Sequence, residues 1–192
     1  IARHLMDELS KESLVLTTMH GQIPAVDLGN GITSVNMGQP ELEWDKIPIS
    51  KNISTLELPI EGSPTATGMG NPHCTFFVED AEAINLEEMG QKFENHPLFP
   101  ERTNVQFASI STPDKIRMRV WERGVGVTLA SGSSSCAAAV AANRRGLTGK
   151  KVQIELDGGI LNINWRKDGV WMTGPTMNVF AGTFSEEFLN SL

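Results

Sequence analysis

Apolar and polar residues alternate along much of the chain, a pattern typical of half-buried strands. Ile116, Met118 and Val120 alternate with Arg117 and Arg119. The same period of two recurs over 152–156 and 161–165, on either side of a glycine-containing turn. Further strands are predicted over 14–18, 23–28, 32–37, 54–59, 74–78, 104–110 and 170–173. The pattern therefore predicts a chain rich in strands joined by tight turns.

Three segments have helical features instead. Apolar residues recur on one helical face at the start of the chain, and these are Ile1, Ala2, Leu5, Met6 and Leu9. Asn85, followed by Glu88, resembles a capping box. Residues 136–142 are almost pure alanine and valine, and the cations at 144–145 and Gly146 end this helix. Many strands with a few helices predict the α+β fold class.

The Ser/Gly turn before the alanine-rich helix has two readings. Ser131, Gly132 and Ser133 could simply cap a helix at the surface. Alternatively, strand, turn and helix N-terminus together form an anion receptor, because the first helical amides lack partners within the helix. Two details favour the second reading. The helix lacks large side chains, so other elements must wrap it closely, and Glu122 and Arg123 end the adjoining strand.

Composition narrows the kinds of binding partner and the cellular compartment expected for this chain. The 192 residues have a formal net charge of −7, which argues against nucleic acid or an anionic membrane as a partner. Cys74 and Cys136 lie in apolar surroundings and are expected to be buried free thiols, which indicates a reducing, cytoplasmic location. No signal peptide or membrane-spanning stretch is recognised. The first helix has no start signal, so we expect the C-terminal part of a longer protein, with proteolytic processing as the alternative.

Several short motifs follow one another in an order that resembles one family. They are Gly70-Asn71-Pro72-His73, Asn95-His96-Pro97 with Glu101-Arg102-Thr103-Asn104, Trp121-Glu122-Arg123-Gly124, the alanine-rich helix and Met172-Thr173-Gly174-Pro175. Each alone is weak, but together they resemble diaminopimelate epimerase over essentially the whole chain. The resemblance implies the C-terminal portion of that family, without the N-terminal segment that contains a catalytic cysteine.

The resemblance implies two similar lobes, each a sheet curled around a central helix, with the active site between them. By analogy, residues 1–53 and 177–192 are expected to be the remnant of a truncated first lobe. Residues 54–176 are expected to be a complete second lobe around the alanine-rich helix. A homodimer is also expected by analogy.

The family interconverts LL- and meso-diaminopimelate without pyridoxal phosphate or metal, as part of lysine and peptidoglycan precursor synthesis. The resemblance implies that a thiolate removes the α-proton while a thiol on the opposite face donates one. It implies that Asn71 and Asn104 bind the amino-acid substrate, Glu122 contacts an amino group and Arg123 binds the distal carboxylate. Gly132 and Ser133 would supply helix amides, and His73 would lie near the reacting centre.

These residues also have structural readings that the sequence leaves open. Asn71 and Asn104 could satisfy turns, and His73 could support the fold. Glu122 and Arg123 could pair only with each other.

One position departs from the family pattern. Ser131 stands where the family has a cysteine, and a serine hydroxyl is far less acidic than a thiol. We therefore expect no detectable epimerisation by this polypeptide alone. The alternatives are a related cofactor-independent racemase with another substrate, or a catalytically dead paralogue that binds an amino acid or a protein.

Overall fold

The computed structural model describes residues 1–18 and 21–191. Outside the described residues lie Met19, His20 and Leu192, and Leu192 is the last position of the segment assigned to the first lobe. The helices are α1 (Ala2–Leu9), α2 (Leu86–Glu94), α3 (Gly132–Arg144) and α4 (Glu186–Leu189). The strands are β1 (Ser13–Thr18), β2 (Gly21–Asp27), β3 (Ile32–Asn36), β4 (Thr65–Gly68), β5 (Pro72–Phe77), β6 (Asn104–Thr112), β7 (Lys115–Glu122), β8 (Gly126–Thr128), β9 (Lys151–Leu156), β10 (Gly159–Arg166) and β11 (Gly169–Pro175). The α+β fold class is confirmed.

The described strands form one mixed sheet in the order β1-β2-β3-β11-β10-β9-β7-β6-β5-β4, with β8 paired to β7. The pairs β5–β6 and β7–β9 are parallel, and the other pairs are antiparallel. β3 pairs with β11, so a segment near residue 34 lies beside one near residue 173. The register places His73 opposite Asn104 on the parallel pair, which brings two predicted site residues together.

The helix α3 lies in the larger core cluster. Residues 134–142 of this helix are all buried, and strand residues Ile116, Met118, Ile154 and Ile163 belong to the same cluster. Small side chains permit close approach of the strands, because protein interiors are packed without voids. The prediction of an alanine-rich helix enclosed by other elements is confirmed.

A second core cluster includes residues from the segment between β3 and β4. Ile47, Ile49 and Leu58 are buried there together with Phe76 and Phe107. The predicted strand over 54–59 is wrong. Its backbone bonds locally to the next segment instead, with the Leu58 N–H donating to Pro64 O and the Ala66 N–H to Thr55 O. The sequence also missed two strands, β4, which follows this turn, and the short β8.

The ends of the chain lie on the same side of β3 and β11. Ala2 and Met6 of α1 pack with Ala25, while Arg3 Nη1 donates to Thr176 O. The side chains of residues 177–191 are exposed. Among the described residues, no helix is long and apolar enough to cross a membrane. The division into two lobes at residues 53 and 177 stays a prediction.

Candidate active site

His73 is the centre of the predicted site and is completely buried. Its Nε2 lies 2.8 Å from Asn71 Oδ1, and its Nδ1 lies 3.1 Å from Gln106 Nε2. Burial, and secondarily the positive charge of Arg123, lowers the pKa of His73 to about 3. The imidazole is therefore neutral at neutral pH.

Gln106 connects His73 to the first turn of α3, a contact that the sequence did not predict. Its amide nitrogen also donates to Ser134 Oγ at 3.1 Å, and its Oε1 accepts a hydrogen bond from Thr75 Oγ1 at 3.1 Å. Ser134 Oγ lies 3.5 Å from His73 Nδ1. Two predicted parts of the site, the Asn-Pro-His segment and the start of α3, are thus joined.

Asn104 connects this cluster to the end of β7. Its Oδ1 accepts the Arg123 backbone N–H at 2.9 Å, and its Nδ2 donates to Pro72 O at 3.2 Å. These bonds satisfy local backbone groups, as the structural reading of Asn104 anticipated. They also bring Asn104 and Arg123 next to the pair of Asn71 and His73.

Glu122 and Arg123 have separate partners, so the reading in which they pair only with each other is wrong. Glu122 Oε1 accepts a hydrogen bond from Thr128 Oγ1 at 2.6 Å. Arg123 Nη1 donates to Glu101 O at 3.0 Å. Within residues 1–18 and 21–191 the Arg123 guanidinium pairs with no carboxylate. Both side chains are half-buried and so reach solvent.

The N-terminus of α3 begins at Ser131, which is buried and has an extended backbone. Its side chain makes no capping hydrogen bond, although its carbonyl accepts the Ser135 N–H and hydroxyl. A Cβ on Gly132 would lie 2.9 Å from Met172 Sδ, so glycine permits the close approach of β11. Gly132 and Ser133 are half-buried. The first amides of α3 therefore remain available to an anion.

Glu94 is a second residue near the site that sequence reasoning missed. Its buried carboxylate accepts hydrogen bonds from Trp121 Nε1 at 2.6 Å, the Gly124 N–H at 2.8 Å and Arg102 Nη1 at 3.0 Å. These donors lie on both sides of Arg123 in the sequence. Glu94 thus fixes the turn in which Arg123 lies.

The two cysteines are buried free thiols, as predicted. Cys136 lies within α3, and burial raises the pKa of its thiol to about 12. Burial also raises the pKa of the Cys74 thiol. Because the thiolate is the basic form, neither side chain can remove a proton from a substrate at neutral pH.

The larger of the two described cavities has a volume of about 640 Å³ and lies between α1, β3, β11 and residues 177–182. It adjoins the N-terminus of α3 through Met172, which both lines the cavity and packs on Gly132. The second cavity, of about 600 Å³, lies between α2 and β8. Neither cavity is lined by Asn71, Asn104 or Arg123. Together with His73, these residues form a polar cluster that is partly open to solvent.

Comparison with known proteins identifies relatives of this chain. The family model described as diaminopimelate epimerase matches residues 65–179. The diaminopimelate epimerase of Acidiphilium cryptum is 46% identical, with coverage of 98% of this chain and 70% of the relative. That of Rhodospirillum centenum is 45% identical, with coverage of 98% and 67%.

Solved structures share the fold at low sequence identity. A hydroxyproline epimerase from Agrobacterium vitis has a TM-score of 0.63 and 14% identity, with coverage of 91% of this chain and 60% of that one. A predicted epimerase from Pseudomonas aeruginosa has a TM-score of 0.60 and 17% identity, with coverage of 91% and 68%. These likenesses show the fold, and the closer sequence relatives show the family. The chain belongs to the diaminopimelate epimerase family, a family of isomerases.

Proposed function

We propose that this chain binds diaminopimelate at the polar cluster around His73 and the N-terminus of α3. The observation that supports this most strongly is that hydrogen bonds through His73, Gln106 and the Pro72 backbone link Asn71, Asn104, Arg123 and the first turn of α3. These residues come from four separate segments of the chain. A shared location is what a binding site requires and what isolated turn residues would not produce.

Each end of the ligand has a matching group in this proposal. The α-carboxylate lies at the free amides of Gly132 and Ser133, where the helix dipole favours negative charge. The distal carboxylate binds Arg123, whose planar guanidinium suits a carboxylate and pairs with none in the described part of the chain. Glu122 contacts an amino group, and Asn71 and Asn104 supply amide hydrogen bonds. The substrate places the chain in lysine and peptidoglycan precursor synthesis.

We further propose that this polypeptide binds the substrate without epimerising it. Removal of an α-proton needs a base at the position of Ser131, and a serine hydroxyl remains protonated there. Cys74 and Cys136 offer no substitute, because burial raises the pKa of both thiols. His73 offers none either, because both ring nitrogens face other side chains.

Calorimetric titration tests the binding proposal. LL-diaminopimelate should bind, whereas L-alanine and L-proline should not, because they lack the distal carboxylate. Arg123→Gln should weaken diaminopimelate binding about tenfold to a hundredfold, the range for a hydrogen bond to a charged group. Arg166→Gln, a matched change at an exposed arginine on β10, should leave the affinity unchanged. Binding of proline or alanine would favour the function of a related racemase. Equal affinities of the two variants for diaminopimelate would show that Arg123 does not contact the ligand.

A further inference from the structure

A chain of uncharged hydrogen-bonding side chains passes through the buried imidazole of His73. It begins at Asn71, which is half-buried, and continues through His73 to Gln106. From Gln106 it divides to Thr75 and Ser134. Apart from Asn71, every one of these residues has an exposed fraction of 0%. Such a network is stable only when each donor meets an acceptor.

The partners of Gln106 determine which nitrogen of His73 has the proton. The Gln106 carbonyl oxygen accepts from the Thr75 hydroxyl, so its NH₂ group faces His73 Nδ1 and Ser134 Oγ. Nδ1 must then be the acceptor, and the proton of the neutral ring is on Nε2. Nε2–H donates to Asn71 Oδ1. With its oxygen held in this way, the Asn71 amide turns its NH₂ group away from His73.

From this geometry we infer that Gln106 is a positioning residue that holds His73 as the neutral Nε2–H tautomer. His73 in turn orients the Asn71 amide and transfers no proton to or from the ligand. The inference rests on the proposed function only in assigning Asn71 to ligand binding. A protonated ring would place a second donor against the Gln106 NH₂ group. The nearby charge of Arg123 also disfavours the imidazolium.

Long-range proton–nitrogen correlation spectra of isotope-labelled protein test the tautomer directly. We expect His73 to show one protonated nitrogen, Nε2, and one unprotonated nitrogen, Nδ1. Its chemical shifts should stay constant between about pH 5 and 9, because burial keeps the ring neutral over this range. A proton on Nδ1, or titration of His73 in this range, would overturn the inference. This spectrum needs no ligand, so its outcome is independent of whether diaminopimelate binds.

Gln106→Glu tests the positioning role with a side chain of the same shape. A carboxylate beside Nδ1 should draw the proton from Nε2 to Nδ1 and shift the titration of His73 upward. Nε2 would then accept, so the Asn71 amide must turn, and the affinity for diaminopimelate should fall about tenfold. Gln91→Glu, which adds the same charge at an exposed position on α2, should change neither property. An unchanged tautomer in Gln106→Glu would overturn the positioning role.

The combined outcomes separate the two proposals. If the wild-type tautomer is as expected and diaminopimelate does not bind, the proposed function fails and the assignment of Gln106 and His73 stands. If diaminopimelate binds and the proton is on Nδ1, the proposed function stands and the inference fails. The wild-type spectrum alone decides the inference should Gln106→Glu fail to fold.

Discussion

At the residue scale, the chemistry of the site depends on groups that burial keeps uncharged. His73 lies in a network of amides and hydroxyls and has a pKa of about 3. Cys74 and Cys136 remain thiols because burial raises the pKa of each. Ser131, the N-cap of α3, makes no side-chain capping bond, and its hydroxyl is far less acidic than a thiol. At its centre, the described part of the cluster therefore offers hydrogen-bonding groups but no strong base.

The buried histidine makes the stability of the protein depend on pH. In the unfolded chain His73 binds a proton near pH 6.5, whereas in the folded chain it does not until about pH 3. Since the unfolded state binds more protons in this window, the free energy of unfolding must fall as the pH falls. Between pH 7 and 5 we expect a loss of about 2 kcal/mol from this residue, measured by urea unfolding.

Two variants isolate this contribution. His73→Gln should reduce the loss between the two pH values by about 2 kcal/mol, while His4→Gln, at an exposed position, should keep it. If the free energy of unfolding depends on pH identically in His73→Gln and the wild type, His73 binds its proton at the same pH in the folded and unfolded chains.

Sequence reasoning named the residues that we propose to bind the ligand and missed those that pack beneath them. Asn71, Asn104 and Arg123 belong to motifs that stand out by resemblance. Gln106 lies between the apolar residues Val105 and Phe107 in the buried half of β6, and its role depends on Ser134, which is remote in sequence. Glu94 is one acidic residue among several on α2, and only the fold shows that it is buried. Partners that are distant in the chain leave no local pattern to detect.

At the element scale, α2 supports the end of β7 and so positions Arg123. Gly90 of α2 packs directly on Trp121, and Glu94 receives the hydrogen bonds around the turn that follows. The sequence predicted α2, α3 and β7 because their periodicities and caps are local. It placed a strand over 54–59 wrongly, because the apolar residues there enter the core from a turn.

Gly90→Ala tests the packing of α2 on β7. Alanine favours helices over glycine by about 1 kcal/mol, but its Cβ would lie 2.5 Å from Trp121 Cγ. We expect the clash to dominate and to cost a net of about 1–3 kcal/mol in urea unfolding. Gln91→Ala, at the exposed neighbouring position, should change stability by less than about 0.5 kcal/mol. A stabilised Gly90→Ala would contradict the close contact.

Glu94→Gln tests the carboxylate under the Arg123 turn. An amide has one acceptor oxygen, so its NH₂ group must face one of the donors from Trp121, Gly124 or Arg102. We expect a loss of about 1–3 kcal/mol in the free energy of unfolding, typical for leaving a buried donor without an acceptor. Glu87→Gln makes the same change at an exposed position on α2 and should be nearly neutral. Equal free energies of unfolding for the two variants would show that the Glu94 carboxylate does not stabilise the fold.

At the scale of the whole molecule, one sheet joins segments that are distant in the chain around a single alanine-rich helix. β11 pairs with β3 and places Met172 against Gly132, at the N-terminus of α3. The same Met172 lines the cavity beside α1 and residues 177–182. The N-terminus of α3 therefore lies between the polar residues of β5 and β6 and the segments at both ends of the chain.

A proton spectrum of LL-diaminopimelate with the protein in deuterated water reports both binding and removal of the α-proton. We predict saturation transfer from the protein to the ligand, because we propose that the polar cluster binds it. The α-proton signal should keep the intensity of a protein-free control, because no group at the position of Ser131 removes the proton. Loss of the α-proton signal beyond that control would contradict the account, and so would the absence of saturation transfer.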